Sequence, residues 1–198
     1  MKRRTIIAGL LGMAMLPGIG HAQSCGNDSI YKIPYKDTYV KQALVAENEF
    51  RVQQPKYVTL PTFAEAKEVL PKPIWAGHDE EINMYWRAWE IGVGNLRNPQ
   101  PGSGFIMPYI DTAYNGNIFM WDSSFILMFA RYGARFFPFQ NTLDNFYAKQ
   151  HPDGFICREI KADGADCFER YDPVSTGPNL IPWCEMVYFH QFGDMERL

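Results

Sequence analysis

The pattern of apolar and polar residues predicts a series of amphipathic helices in the second half of the chain. The clearest apolar stripe follows the acidic residues 79–81 and has the three- and four-residue spacing of a core-facing helix: Ile82, Tyr85, Trp86, Trp89, Val93 and Leu96. Carboxylates in a first helical turn suit the positive end of the helix dipole. Pro99 and Pro101 end this predicted helix.

A second helix is predicted to open at Trp121 and Asp122. Its stripe, which we expect to face the core, consists of Phe125, Met128, Phe129, Tyr132 and Phe136. A short third helix is predicted from residue 141 or 142 to 149, where Asn141 or Thr142 suits the N-cap. A last helix is predicted from about residue 181 to Gly193, a typical C-cap residue.

Between the third and last helices the pattern changes to that of short strands. Residues 154–160 and 167–171 predict two strands around a turn at residues 162–164, that is, a β-hairpin. Before Pro73 the chain is irregular, apart from one helical stretch predicted at residues 61–70.

The N-terminus predicts export. Basic residues 2–4 precede an apolar stretch at residues 6–19, and Gly20-His21-Ala22 offers small residues for cleavage after Ala22. The apolar stretch is shorter than the roughly 20 residues that a membrane span needs, so we expect no membrane span. The predicted organisation is a signal peptide at 1–22, a lead-in at 23–73 and the main domain at 74–198.

The expected location is the periplasm or the medium of a bacterium. A lipid anchor on Cys25 is the alternative, but Ala22-Gln23-Ser24 is a poor lipobox and simple secretion is favoured. An exported protein permits a disulfide between Cys157 and Cys167; buried free thiols are the other interpretation. No cysteines have C-x-x-C spacing and the histidines are scattered, so neither a metal nor a cofactor is predicted.

Composition narrows the class of protein further. The chain carries 22 acidic and 19 basic residues, and loss of Lys2, Arg3 and Arg4 with the signal peptide lowers the formal charge from −3 to −6. That balance argues against nucleic-acid binding, which normally needs a basic face. An aromatic content of 15% excludes a disordered chain.

The candidate chemistry centres on Trp121 and Asp122. Sugars stack their C–H faces on aromatic rings and donate hydroxyl hydrogen bonds to carboxylates; alternatively, Asp122 caps the helix and Trp121 lies in the core. Asn117 and Arg158 add an amide and a charge that suit a polyhydroxylated ligand. Glu185, in an apolar helix, either pairs with a group such as an arginine or faces the ligand. Neither a phosphate loop nor a G-x-S-x-G elbow occurs.

Three ordered stretches resemble trehalases and glycoside hydrolase family 63, which includes mannosylglycerate and glucosylglycerate hydrolases. They are residues 115–125 with the Trp121-Asp122-Ser123 motif, residues 151–160, and residues 178–185 followed by Gly193-Asp194. The motif alone is moderately specific, and the ordered set is more so. The resemblance covers residues 71–198.

The resemblance implies an all-α fold: an incomplete (α/α)6 toroid with a short β-hairpin insertion. It implies that Trp121 and Asp122 line the sugar subsite and that Arg158 touches it. These enzymes invert the anomeric centre with a carboxylic acid and a carboxylate base. The segment that carries the acid, similar to E-S-G-x-D-x-S, does not occur in this sequence. We therefore expect the catalytic pair beyond Leu198 and an inactive N-terminal portion here.

The predicted function is that of an exported glycoside hydrolase, acting when complete on an α-linked glucoside or mannoside by inversion. The expected partner is an oligosaccharide or glycoside, which we assign to Trp121, Asp122, Arg158, Asn117 and Glu185. One alternative is a carbohydrate-binding protein without catalysis. Another is a different (α/α)6 enzyme, such as a rhamnosidase-like hydrolase or a polysaccharide lyase.

Overall fold

The computed structural model describes residues 43–112, 115–170, 172, 177 and 179–197; the predicted signal peptide and Cys25 lie outside them. In chain order the described elements are α1 Phe63–Val69, α2 Asp79–Gly94, β1 Leu96–Arg97, β2 Tyr109–Ile110, β3 Ile118–Phe119, α3 Met120–Ala130, α4 Thr142–Ala148, β4 Glu159–Ile160 and α5 Ile181–Phe192. Two short 3-10 helices, Arg131–Gly133 and Phe139–Asn141, lie between α3 and α4.

The expectation of an all-α fold, an incomplete (α/α)6 toroid, is wrong. The described residues combine helices with two antiparallel strand pairs, β1–β2 and β3–β4. The reason lies in the loop after α2, which enters the core: Tyr109 and Ile110 are both buried. Their backbone N–H and C=O groups need hydrogen-bond partners away from water, and pairing with Leu96 and Arg97 provides them.

The predicted β-hairpin insertion is also wrong in its pairing. Strand β4 pairs with β3, in the register Ile118 to Ile160 and Phe119 to Glu159. Of the predicted hairpin, the structure keeps an isolated antiparallel bridge between Ile160 and Asp166, one residue before the predicted second strand, and a hydrogen bond from the Cys167 N–H to the Glu159 carbonyl oxygen at 3.0 Å. Ile118 and Ile160 are completely buried, so burial of these two side chains favours the pairing of β4 with β3, and the local hairpin is reduced to the contacts just given.

Local signals located the other helices correctly. Helix α2 begins at Asp79 as predicted and buries Trp89 and Val93. Helix α5 ends at Gly193, whose φ of 68° is the left-handed conformation of a glycine C-cap. Helix α1 begins with a reciprocal capping box, in which Thr62 and Glu65 each accept a hydrogen bond from the other's backbone N–H.

Helix α3 faces the core with a different side from the one predicted. Its buried residues are Met120, Ser123, Ser124, Leu127 and Ala130, whereas Phe125 and Phe129 of the predicted stripe are exposed. Small side chains let neighbouring elements approach the helix closely, and the Ser124 hydroxyl donates to the Met120 carbonyl oxygen at 2.7 Å. Of the predicted stripe, Phe125, Phe129 and Tyr132 are thus exposed, whereas Met128 and Phe136 are partly buried against the core.

The five largest fully buried side chains are aromatic, and they lie between the end of α2 and the end of α4. Phe105, Tyr109, Phe137, Phe139 and Phe146 are each at most 2% exposed. No helix among the described residues is long and apolar enough to cross a membrane.

Candidate functional site

A cleft of about 350 Å³ lies where helices α3 and α5 begin. Met120, the first residue of α3, and Asn179, two residues before α5, both contribute to it. Its described lining is Met120, Gln150, Gly154, Phe155, Ile156, Arg158, Arg170, Gly177 and Asn179. The lining therefore combines amide and guanidinium donors with apolar surface.

Backbone hydrogen bonds fix the two helix starts beside the cleft. The N-cap of α3 is Phe119, whose side chain cannot cap; instead the Met120 N–H donates to the Arg158 carbonyl oxygen at 2.8 Å. At the other helix, the Asn179 side chain accepts a hydrogen bond from the Ile181 N–H at 3.2 Å. Arg158 is thus tied to the entrance of α3.

The two arginines of the cleft are held by neighbouring groups. The Arg158 guanidinium lies 4.0 Å from the centre of the Phe168 ring, in a cation–π contact. Arg170 forms an ion pair with the buried carboxylate of Asp153. Both contacts hold a guanidinium group at the cleft, and their partners, Phe168 and Asp153, are not among the described residues that line it.

Three exposed aromatic side chains in ring contact lie on the first two turns of α3 and the first turn of α5, the helices whose starts border the cleft, and we call them the aromatic ledge: Trp121, Phe125 and Trp183. They are 51%, 45% and 45% exposed. The Phe125 ring centroid lies 5.2 Å from that of Trp121 and 5.8 Å from that of Trp183. Trp121 is therefore a surface residue and not part of the core, and the ledge joins the first turns of α3 and α5.

Asp122 lies in the first turn of α3 and is exposed. Phe119 occupies the N-cap position, so capping does not explain Asp122. Within the described part of the chain, its carboxylate has no hydrogen bond or ion pair with another residue. It follows Trp121 directly in the sequence and, like Trp121, is exposed in the first turn of α3.

Glu185 has the opposite environment. It is buried and accepts hydrogen bonds from Gln140 Nε2 at 2.8 Å and from the Tyr147 hydroxyl at 2.9 Å. Arg197 binds both of its oxygens, at 2.7 and 2.8 Å, and also binds Asp144 at 2.9 Å. Of the two interpretations of Glu185, pairing with an arginine matches this position, and a contact with ligand stays a prediction.

Asn117 is turned toward the strands. Its Nδ2 donates to Glu159 Oε1 at 2.8 Å and lies 3.8 Å from the Cys167 sulfur. Asn117 is not among the described residues that line the cleft. Of the five predicted binding residues, the structure therefore groups Arg158, Trp121 and Asp122 at one side of the molecule and gives Asn117 and Glu185 partners within the protein.

The cysteines nearby are free thiols. Cys157 is buried and donates to the Glu159 carbonyl oxygen at 3.0 Å. Burial, followed by the charge of Glu159, raises the pKa of Cys167 to about 11. This matches the interpretation of Cys157 and Cys167 as reduced thiols. Among the described residues, no group of three His, Cys, Asp or Glu side chains could hold a metal ion.

Sequence reasoning missed the contributions of Gln150, Phe155 and Arg170 to the cleft. Tertiary contact between the end of α4 and the segment around β4 brings each of them there. None of them belongs to a sequence motif or a periodic pattern that would mark it as a binding residue. The chain matches no family model, no curated protein and no solved structure. The resemblance to trehalases and family 63 enzymes therefore stays a prediction, and the site is argued from its geometry.

Proposed function

We propose that the chain binds a carbohydrate across the cleft and the aromatic ledge. The observation that carries this proposal is the row of three exposed aromatic side chains in ring contact, Trp121, Phe125 and Trp183. Exposed aromatic groups in contact with one another form an apolar surface that a folded protein normally buries or uses for binding. Sugar rings present flat C–H faces that such a surface accommodates.

The polar groups beside the ledge suit the hydroxyl groups of a sugar. Gln150 and Asn179 offer amide groups and Arg158 offers a guanidinium within the cleft, while Asp122 offers a carboxylate on the surface. The cleft volume of about 350 Å³ lies at the lower end of the roughly 300–1,000 Å³ typical of small-molecule sites. From the sequence resemblance, we propose an α-linked glucoside or mannoside as the ligand class.

Binding without hydrolysis is the activity that we propose for this chain. Inverting hydrolysis needs a carboxylic acid and a carboxylate on opposite sides of the glycosidic bond. The described lining of the cleft contains no aspartate or glutamate. From the basic and apolar residues at its start, we also propose that the protein is exported.

The test is a titration of the full chain with maltose, trehalose and an α-linked mannobiose, measured by calorimetry. We expect at least one sugar to bind. Trp121→Ala should weaken that binding about tenfold, because loss of stacking and of its apolar contact area costs about 1.4 kcal/mol or more.

Trp75→Ala is the matched control. Trp75 is 55% exposed and stacks on His78, and it belongs to neither the ledge nor the cleft. Its replacement should leave sugar affinity unchanged. Absence of binding for all three sugars, or equal losses in the two tryptophan variants, would contradict the proposal.

A further inference from the structure

A second and larger cavity, of about 560 Å³, lies elsewhere on the molecule. Its walls come from the loop at residues 102–104, from Ala148, Lys149 and His151 at and after the end of α4, and from the turn at residues 164–166, with Arg51 beside them. No described residue lines both this cavity and the cleft. The carbohydrate proposal makes no use of it.

Two glycines fix the walls of this cavity. A Cβ atom on Gly164, where φ is 85°, would lie 1.7 Å from the Ser103 carbonyl oxygen, so the turn rests directly on the backbone of the opposite loop. A Cβ atom on Gly104, where φ is 75°, would lie 3.4 Å from the Lys149 ammonium nitrogen. The cavity is therefore bounded by segments in close contact.

Positive charge dominates one side of the cavity. The Lys149 side chain is partly buried and donates to the Ser103 carbonyl oxygen at 3.3 Å, and Arg51 stands at the surface. Neither forms an ion pair with any aspartate or glutamate that the structure describes. Burial, followed by the charge of Arg51, lowers the pKa of Lys149, and the carboxylate of Asp163, beyond ion-pair distance, opposes this shift. A partly buried ammonium without a carboxylate partner is unfavourable, and an anion would stabilise it.

The acidic residue in the cavity wall does not supply that partner. Asp166 Oδ2 lies 2.7 Å from His151 Nε2, and the side chains of Asp166 and His151 are 6% and 17% exposed. Asp166 Oδ1 is buried without a hydrogen-bond partner among the described residues. Burial raises the pKa of Asp166 to about 7, so its negative charge is incomplete at neutral pH. In its protonated form the Asp166 carboxyl group can donate a hydrogen bond to an anion, whereas the ionised form would repel one.

We propose that this cavity binds a small oxyanion, the group common to phosphates and carboxylates, through Arg51 and Lys149, with the His151–Asp166 pair in the adjoining wall. An arginine guanidinium donates two parallel hydrogen bonds to such a group, and an ammonium adds a third donor and a point charge.

The pKa of His151 should report whether an anion is bound. This pKa is lowered to about 4, first by burial and then by the positive charges of Arg51, Lys149 and Arg170. An anion between Arg51 and Lys149 offsets two of these charges. Asp166 and Arg170 also face the imidazole. Arg170 keeps its charge over the whole titration, whereas Asp166 loses its negative charge below about pH 7, so it is the same neutral neighbour in every salt when His151 titrates. The bound anion should therefore raise the pKa of His151.

The experiment follows the His151 ring signals of the full chain by NMR as a function of pH, in sodium phosphate, sodium trifluoroacetate or sodium chloride at equal ionic strength; trifluoroacetate is the carboxylate because it stays ionised where His151 titrates. Relative to chloride, phosphate should raise the pKa of His151 by about one unit, as expected for a negative charge a few ångströms away. An effect of trifluoroacetate equal to that of phosphate supports a site that accepts carboxylates as well, and an effect of phosphate alone supports a phosphate ligand.

Variants locate the site. Arg51→Gln and Lys149→Gln should each weaken phosphate binding about tenfold, since each removes a charged hydrogen bond. Lys161→Gln is the matched control, because Lys161 is exposed in the same turn and does not line the cavity. Arg51 is exposed, so its replacement does not threaten folding. Equal pKa values in phosphate and chloride, or unchanged phosphate affinity in Arg51→Gln, would overturn the proposal.

Discussion

The two helices that meet beside the cleft carry their carboxylates in opposite environments. Glu185 on α5 is buried, and both of its oxygens accept hydrogen bonds, including two from Arg197. Asp122 on α3 is exposed and has no partner in the described part of the chain. A buried charge must be paired or it destabilises the fold, whereas an exposed one needs no partner. Of the two, Asp122 is thus available to a ligand.

We expect the largest effect on the free energy of unfolding from the network around the buried Glu185. Arg197→Met removes the cation that pairs with both Glu185 and Asp144. Two buried carboxylates then lack a counter-charge, and we expect the free energy of unfolding to fall by about 3–5 kcal/mol. Urea denaturation of the full chain measures this change. Arg135→Met, at an exposed arginine, is the control, and a loss below about 1 kcal/mol in Arg197→Met would show that the network is not a structural anchor.

The sequence indicated a paired Glu185 as one of two alternatives, and it could not decide between them. Arg197 lies 12 positions further along the chain, a separation that places it on no common helical face. Gln140 and Tyr147 come from a separate part of the chain. Local spacing carries no information on such a network, because only the tertiary fold brings its members together.

Helix α3 shows a second limit of sequence reasoning. Its beginning was predicted, but its apolar stripe was assigned to the core, where Ser123, Ser124 and Ala130 lie instead. Periodicity identifies an apolar face and does not say whether that face is covered by protein or left for a ligand. Helices α2 and α5 were predicted correctly because their signals, an acidic first turn and a glycine C-cap, are local.

The strand pairs and the second cavity depend on contacts between distant segments. Strand β4 pairs with residues 118–119, and the cavity joins Arg51 to Lys149. Neither relation has a signature in sequence spacing. The candidate residues at the start of α3 could be found because an aromatic residue and a carboxylate are adjacent in the sequence, which is a local feature.

Asp111 combines features of Glu185 and Asp122, because it is buried but has only a weak ion-pair partner. Its protonation should therefore make the free energy of unfolding depend on pH. It is buried, its nearest ion-pair partner is Arg97 Nε at 3.4 Å, and neither of its oxygens has a hydrogen bond among the described residues. Burial raises its pKa to about 6, and Arg97 opposes the shift. The folded state therefore binds this proton more tightly than the unfolded state does, so the free energy of unfolding decreases through Asp111 as pH rises from about 4 to about 6.

The variant Asp111→Asn isolates this contribution because its side chain stays neutral. Between pH 4 and pH 7, the free energy of unfolding should decrease by about 2–3 kcal/mol less in the variant than in the unmodified protein. Urea denaturation at both pH values measures the difference. Asp163→Asn, at an exposed aspartate, should change the two free energies equally. Parallel stability curves for Asp111→Asn and the unmodified protein would mean that Asp111 is ionised in the folded state.

We expect replacement of the exposed Asp122 to have the smallest effect on the free energy of unfolding and to weaken sugar binding. Asp122→Asn removes a charge that no described residue contacts, so the free energy of unfolding should change by less than about 0.5 kcal/mol. If Asp122 accepts hydrogen bonds from sugar hydroxyls, the same variant should bind the sugar identified by calorimetry about tenfold more weakly, because a charged hydrogen bond contributes about 1.5–3 kcal/mol.

Glu185→Gln provides the contrasting variant for this last prediction. It changes a carboxylate to an amide in the neighbouring helix, but at a position that is buried and paired with Arg197. Glu185→Gln should lower the free energy of unfolding. Under conditions in which the variant is folded, its sugar affinity should be unchanged. Measuring both quantities on both variants separates a ligand contact from a structural one. A sugar affinity that survives Asp122→Asn and falls in Glu185→Gln would reverse the assignment of the two carboxylates.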